Sequence, residues 1–275
     1  MKRIYFVIAI LLFFIPLLVS GQVELFQKDI LPGTVPENLD IYLVIGQSNM
    51  AGRAIIREQD KRSLENAYLF TGDFINPWVV VTNPINRYST VRKNLAMQRL
   101  GPAYSFTKTI AEERPDQQIG LVANAKGGTK IVQWMPGSEI YKEAIKQTHK
   151  ALKYGRLKGI IWHQGEGDCH PVRVEIYLGR LEILINAIRE EFDDPTIPFV
   201  AGQLSENEKR HDFNEMILEL PDFIDYTGVA TSEGTEVFDG THFESESALI
   251  MGKRYATEML RLMEERESFL LKKRK

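Results

Sequence analysis

The sequence predicts an α/β protein: a three-layer α/β/α sandwich with a central parallel sheet. Short apolar segments alternate with amphipathic helical segments along most of the chain, which is typical of this class. Most of the apolar segments end in a polar or glycine-rich turn. Because parallel strands carry their carboxyl ends to the same edge of a sheet, those turns are expected to lie close together.

The first predicted strand, 41–45, is apolar at almost every position, as expected for a strand buried on both faces. Four more strands are predicted at 119–124, 159–162, 197–204 and 223–230. Helical spacing of apolar residues predicts helices at 101–114, 139–154, 172–192 and 245–270.

The polar stretch 53–99 carries short apolar runs between turn signals. It is predicted to be an insertion of loops and short strands within a single domain of residues 22–275. Such an insertion lies beside the carboxyl edge of the sheet, where it can shape a cleft.

Composition sets limits on function. The chain has 275 residues and a formal net charge of -3, which argues against nucleic acid as a partner. Its one cysteine, Cys169, excludes an intrachain disulfide and is interpreted as an inert thiol.

Residues 1–21 have the order of a secretory signal: a basic start, an apolar stretch from Ile4 to Val19, then Ser20 and Gly21. The apolar stretch is short for a membrane span and contains Pro16. The sequence therefore predicts a cleaved signal peptide, export to the periplasm or the medium, and no stable membrane anchor after cleavage.

Three residues in two of the turns have the chemistry of a serine hydrolase triad. Ser48 follows the first strand, and it is either a nucleophile or only the N-cap of the following helix. His242 is the candidate base, and Asp239 can reach its other ring nitrogen. Candidate oxyanion donors are the Ser48 backbone N–H, a backbone N–H of Gly127 or Gly128, and the Gln164 amide.

Four sequence blocks resemble those of the SGNH (GDSL-like) hydrolases: IGQSNMAGR, NAKGGTKIVQW, WHQGEGD and DGTHF. The chain is most similar to the carbohydrate acetylesterase branch, with sialate O-acetylesterases and the acetylxylan esterases of carbohydrate esterase family six. The resemblance covers about 40–256. It implies a flavodoxin-like fold and removal of acetyl groups from an acetylated carbohydrate, without metal or cofactor.

The resemblance also implies residue roles. Ser48 is the nucleophile, completed by Asp239 and His242. Gln164 takes the oxyanion position that asparagine holds elsewhere in the superfamily, and Gly128 is preferred to Gly127 as the backbone donor. Supporting positions in the motifs are Gln47, Asn49 and Glu166. Gly167 stands where serine is more common, a departure to which no catalytic consequence is attached.

Other interpretations compete. Glu166 and Asp168 could be a glycosidase pair, but two residues in one loop rarely face each other across a sugar. A metal could bind to His163, Asp168 and His170, although no further ligand cluster is near. Aromatic and histidine residues elsewhere are interpreted as structural: Trp134 and Trp162 in the core, His149 on a helix and His211 in a loop.

The alternative of a different class is a catalytically inactive sugar-binding protein. Such a protein would keep the cleft but lose a triad residue, and all three are present.

Overall fold

The computed structural model describes residues 36–273. The predicted signal peptide, 1–21, lies outside the described residues. Within 36–273, every helix is too short or too polar to cross a membrane.

Seven strands form one sheet in the order β3-β2-β4-β1-β5-β6-β7, and all neighbours are parallel except β2 and β3. The strands are β1 (Leu39–Gly46), β2 (Ala67–Phe70), β3 (Trp78–Val80), β4 (Ile119–Ala123), β5 (Gly155–His163), β6 (Phe199–Gly202) and β7 (Thr227–Ala230). The predicted fold class is confirmed. The stretch 53–99 also supplies β2 and β3, which extend one edge of the sheet. β2 pairs in parallel with β4, and β3 pairs antiparallel with β2.

The helices are α1 (Ser48–Ala51), α2 (Ala103–Glu113), α3 (Glu139–Ala151), α4 (Pro171–Glu175), α5 (Tyr177–Glu191), α6 (His211–Leu218), α7 (Leu220–Phe223) and α8 (Ser245–Lys273). The single helix predicted over 172–192 is wrong, since Ile176 interrupts it. His211 begins a helix and does not lie in a loop. The predicted strand from Phe223 begins only at Thr227, because α7 occupies its first residue.

The sheet has a separate apolar core on each face, which makes the three layers. Successive residues of β1 point alternately into the two cores. Ile41 and Leu43 pack on the face covered by α3 and α5. Tyr42 and Val44 pack on the face covered by α2 and α8. β1 is therefore buried from both sides, as its continuous apolar sequence predicts.

Helix α8 is held against α2 by a close crossing. A Cβ added to Gly252 would lie 2.1 Å from the carbonyl oxygen of Pro102, so the helices can approach this closely only with glycine there. The Ser105 hydroxyl donates to the carbonyl oxygen of Leu249 at 2.8 Å. This packing fixes the start of α8, and with it the turn that precedes the helix.

The turn after β1 is fastened to both neighbouring strands. The Gln47 N–H donates to His163 O at 2.8 Å, and the Lys126 N–H donates to Gly46 O at 2.9 Å. Gly46 has φ of 136°, and a Cβ there would lie only 2.3 Å from His163 O. Glycine is thus required where the chain leaves the sheet toward Ser48.

Candidate active site

Three side chains from distant parts of the sequence form one hydrogen-bonded relay at the carboxyl edge of the sheet. The Ser48 Oγ lies 3.0 Å from His242 Nε2, and His242 Nδ1 lies 2.6 Å from Asp239 Oδ2. A carboxylate only accepts, so Nδ1 carries the proton and Nε2 is left to accept from the serine hydroxyl. This is the arrangement that a nucleophilic serine needs.

Local backbone hydrogen bonds hold the Asp239 carboxylate in position. Its Oδ1 accepts from the backbone N–H groups of Thr241 at 3.0 Å and His242 at 2.8 Å. Partial burial opposes ionisation, but the His242 ring and these two N–H groups outweigh it and hold the pKa of Asp239 below its usual value. The aspartate is therefore ionised at neutral pH.

The turn that carries both residues closes on itself. The Phe238 N–H donates to His242 O at 3.0 Å, and Gly240 has φ of 77°, a left-handed conformation that favours glycine. The Phe238 ring stacks on the His242 ring with centroids 6.0 Å apart, although the side chain is largely exposed. This contact limits the rotation of the imidazole.

Asn49 joins the nucleophile turn to the histidine turn. Its amide nitrogen donates to Glu166 Oε1 at 2.7 Å and to Thr241 O at 3.1 Å. Its amide oxygen accepts from the Phe243 N–H at 3.1 Å. The residue thus fixes the distance between Ser48 and His242. Gln47 is buried beside it but makes no side-chain cap to α1.

Beneath this layer, the His163 side chain is fully buried and that of Glu166 is nearly so. Burial lowers the pKa of His163 to about 3, assisted by the charge of Arg210. Burial also raises the pKa of Glu166 above its usual value, despite the donated hydrogen bond from Asn49. The Tyr255 hydroxyl donates to Trp162 O and lies 2.9 Å from His163 Nδ1, so Nδ1 is the protonated nitrogen.

The glycine turn after β4 lies against the nucleophile. A Cβ added to Gly127 would be 3.4 Å from Ser48 Cβ, whereas one added to Gly128 would meet only Lys93 Nζ, at 3.1 Å. By this measure Gly127 is the nearer of the two glycines to Ser48, and the preference for Gly128 as the backbone donor stays a prediction. Within the described residues, neither the Ser48 N–H nor the Gly127 N–H donates to a protein acceptor.

Gln164 is placed differently from its predicted role. It is only 1% exposed, and its amide nitrogen already donates to Thr129 O at 2.9 Å and Asp168 Oδ2 at 2.7 Å. Its oxygen accepts from the Tyr177 hydroxyl at 2.8 Å. Both amide protons are thus committed inside the protein, and the predicted oxyanion role of this side chain conflicts with the structure.

The aspartate that a glycosidase pair or a metal site would need already accepts hydrogen bonds within the protein. Asp168 is buried and accepts from the Ile131 N–H at 2.9 Å as well as from Gln164. The indoles of Trp134 and Trp162 pack edge to face in the core, as expected. Across residues 36–273, no three His, Cys, Asp or Glu side chains are grouped to hold a metal ion.

Cys169, His149 and His211 lie outside the relay. Burial raises the pKa of the Cys169 thiol to about 12, which fits the expected inert thiol. His149 and His211 are about half exposed or more.

Sequence analysis did not identify Arg210, whose side chain supports the turn that carries Asp239 and His242. Its Nη2 donates to Gly240 O and to Thr241 Oγ1, both at 3.0 Å. Its Nη1 donates to Ser205 O at 3.2 Å. An isolated arginine in a polar stretch carries no motif, so only the fold identifies this contact.

A family model described as "Carbohydrate esterase, sialic acid-specific acetylesterase" matches residues 38–261. A probable carbohydrate esterase of Arabidopsis thaliana is 27% identical over 187 residues, which are 63% of this chain and 72% of that protein.

Solved structures share the fold. The Arabidopsis thaliana protein superposes with a TM-score of 0.73 at 24% identity, over 82% of this chain and 99% of that one. NanS gives 0.68 at 15% identity, over 84% and 99% of the two chains. A carbohydrate acetylesterase from Xanthomonas citri gives 0.61 at 20%, over 82% and 57%. The chain belongs to the carbohydrate esterase family of sialic acid-specific acetylesterases and is a carboxylic ester hydrolase.

Proposed function

We propose that this protein removes O-acetyl groups from carbohydrates through a covalent acetyl-enzyme on Ser48. The single observation that carries the proposal is the continuous relay from Ser48 through His242 to Asp239. Family membership supports a carbohydrate ester as the substrate.

In the first step, Ser48 Oγ attacks the acetyl carbonyl carbon while His242 Nε2 takes the hydroxyl proton. Asp239, which is ionised, stabilises the imidazolium that results. When the tetrahedral intermediate collapses, the bond to the sugar oxygen breaks and His242 returns its proton to that oxygen. A water molecule, deprotonated by His242, then releases acetate and restores the serine.

The developing charge on the carbonyl oxygen needs hydrogen-bond donors. The backbone N–H groups of Ser48 and Gly127 are suited to this, since both lie at the serine and neither has a protein acceptor within the described residues. These two backbone donors take the place of the predicted oxyanion hole that included the Gln164 side-chain amide.

Ser48→Ala tests the proposal, with a chromogenic acetyl ester and measured acetate release. Loss of the nucleophile is expected to lower kcat by about 10⁴-fold or more. Ser63→Ala is the matched control, because Ser63 is an exposed loop serine. Circular dichroism checks that both variants are folded.

The result also separates the enzyme from an inactive sugar-binding protein. A wild-type protein that releases no acetate would favour the binding protein. Near-normal turnover in folded Ser48→Ala would remove the serine from the mechanism. Covalent labelling of Ser48 by a serine-directed phosphonate gives an independent readout.

A further inference from the structure

The loop between β2 and β3 carries the two most exposed large apolar side chains of the described residues. Phe74 is 97% exposed and Ile75 is 80% exposed. Single apolar residues are common on protein surfaces, but these two are adjacent and lie at the tip of one loop. Within the described part of the chain, neither side chain belongs to the apolar core on either face of the sheet.

Hydrogen bonds hold this loop in one shape. The Thr71 N–H donates to Pro77 O at 2.9 Å, and the Thr71 hydroxyl donates to Asn76 O at 2.6 Å. The Asp73 Oδ1 accepts from the N–H groups of Ile75 and Asn76, both at 2.8 Å. The aspartate therefore caps the backbone of its own loop, and polar contacts at the base display the apolar tip to solvent.

The base of the loop lies against helix α3. A Cβ added to Gly72 would be 2.9 Å from Gln147 Oε1, in the middle of that helix. Because β2 runs parallel to β4, the loop also leaves the sheet at its carboxyl edge, the edge that carries Ser48. The apolar tip and the outer side of α3 are therefore neighbouring surfaces.

The outer side of α3 is basic. Four exposed lysines form a basic strip along the helix and the turn that follows it: Lys142, Lys146, Lys150 and Lys153. A spacing of four residues keeps lysines on one side of a helix. Lys146 pairs with Glu143 at 2.9 Å, whereas across residues 36–273 the other three lysines form no ion pair. Residues 142–153 contain four lysines and one acid, although the chain as a whole has a net charge of -3.

An apolar tip beside a row of lysines has the chemistry of a surface that rests on an anionic bilayer. Apolar side chains are stabilised when they enter the boundary between headgroups and acyl chains. Lysines near the membrane are attracted by the negative surface potential of anionic lipids. A soluble polyanion would attract the basic strip equally well, but it offers no apolar environment for Phe74 and Ile75.

We propose that the Phe74–Ile75 tip and the basic strip dock this protein reversibly on an anionic lipid bilayer. The tip enters the interfacial region while the lysines lie over the headgroups. The edge of the sheet that carries Ser48 is then held near the membrane surface. This inference goes beyond the proposed function, because lipid binding requires neither a substrate nor the relay.

Cosedimentation with vesicles tests the proposal. Vesicles of phosphatidylcholine are compared with vesicles in which roughly a third of the lipid is phosphatidylglycerol. The chain from Gln22 is used, because the apolar stretch 4–19 would bind lipid by itself. We expect partitioning onto the anionic vesicles to be about tenfold or more stronger, and to weaken as salt is added. Equal partitioning onto both vesicles, or none onto either, would overturn the proposal.

A double substitution tests the apolar tip. Phe74→Ser with Ile75→Ser is expected to weaken partitioning onto anionic vesicles about tenfold or more, because it removes the side chains that enter the bilayer. Phe223→Ser is the matched control, since this half-exposed phenylalanine ends α7 beside β7, at the opposite edge of the sheet from β3. Circular dichroism checks that the variants are folded. Unchanged partitioning of the folded double variant contradicts the assignment.

A second pair of substitutions tests the basic strip. Lys142→Gln with Lys150→Gln is expected to weaken partitioning about fivefold or more, and to reduce its dependence on salt. Lys108→Gln with Lys253→Gln is the control of equal charge, because these exposed lysines lie on α2 and α8, which cover the other face of the sheet. Equal losses in the two pairs would mean that net charge alone drives the binding, and the assignment of the strip would be wrong.

The other occupants of this surface give different results. Binding that needs the lysines and not the tip would identify an anionic polymer as the ligand. A dimer in sedimentation velocity that Phe74→Ser with Ile75→Ser abolishes, without vesicle binding, would identify a second copy of the chain. Either result overturns the proposal. Acetate release is measured in parallel, and its absence in the wild type would remove the proposed function while the vesicle result still stands.

Discussion

The site contains two histidine–carboxylate pairs with the same residue spacing and opposite burial. His242 and Asp239 lie 2.6 Å apart, with 23% and 43% of their side chains exposed. His163 and Glu166 lie 3.9 Å apart, with 0% and 7% exposed. Hydrogen bonds lower the pKa of the Asp239 carboxyl in the exposed pair, whereas burial lowers the pKa of His163 and raises that of Glu166, so that it opposes charge on both members of the other pair.

Burial therefore decides whether such a histidine–carboxylate pair can take part in proton transfer. A pair that water reaches can exchange protons with a substrate, and its charge costs little to maintain. In a buried pair the charged forms are poorly solvated, so a change of protonation costs more free energy, and the pair serves as a structural scaffold. In this protein Asn49 links the scaffold pair to the relay, because its amide contacts both Glu166 and the histidine turn.

Replacing the exposed carboxylate should have the largest effect. We expect Asp239→Asn to lower kcat by about a thousandfold, because an amide neither stabilises the imidazolium nor enforces the proton on Nδ1. The free energy of unfolding should change little, since Asp239 is exposed. Steady-state kinetics and denaturant titration measure the two effects. Activity within tenfold of wild type would show that Asp239 is not needed.

The same chemical change in the buried pair should have a much smaller effect. Glu166→Gln keeps an oxygen that accepts from the Asn49 amide, and the raised pKa of Glu166 shows that its site already opposes a negative charge. We therefore expect kcat within about threefold of wild type. Glu166→Ala leaves the Asn49 amide without its partner and should lower the free energy of unfolding by about 1–3 kcal/mol. A large loss of activity in folded Glu166→Gln would mean that Glu166 works as a carboxylate, and the contrast between the pairs would fail.

The smallest expected effect is on the pH dependence of the free energy of unfolding. The folded-state pKa of His163, about 3, is below its ordinary value of 6.5, so the unfolded chain takes up this proton first as the pH falls. Stability from this group is present above pH 6.5 and is lost below it. From pH 7 to 5.5 the wild type should lose about 1 kcal/mol more than His163→Gln.

Glu166 acts in the opposite direction, because the folded protein holds its proton above the ordinary pKa of 4.5. It is present in both proteins, so the difference between wild type and His163→Gln reports His163 alone. Urea titrations at pH 7 and pH 5.5 measure it. Parallel losses in the two proteins would show that His163 can be protonated without cost.

Much of this architecture could be predicted from sequence. The apolar run of β1 and the turns after the strands predict the buried sheet and its carboxyl edge, because side-chain period and strand direction are local properties. They also predict that Ser48, Asp239 and His242 come together. The ends of the helices were less predictable from sequence. The apolar spacing of 172–192 is that of one helix, yet the structure breaks it at Ile176.

The fold class and the residues of the relay can be identified from the sequence, because strand pattern, turn glycines and chemical type are local properties. The tertiary structure alone decided which groups are free to act. It committed the Gln164 amide to buried acceptors and placed Gly127 against the serine. Hydrogen bonding and burial depend on neighbours from distant parts of the chain, and a motif does not specify those neighbours.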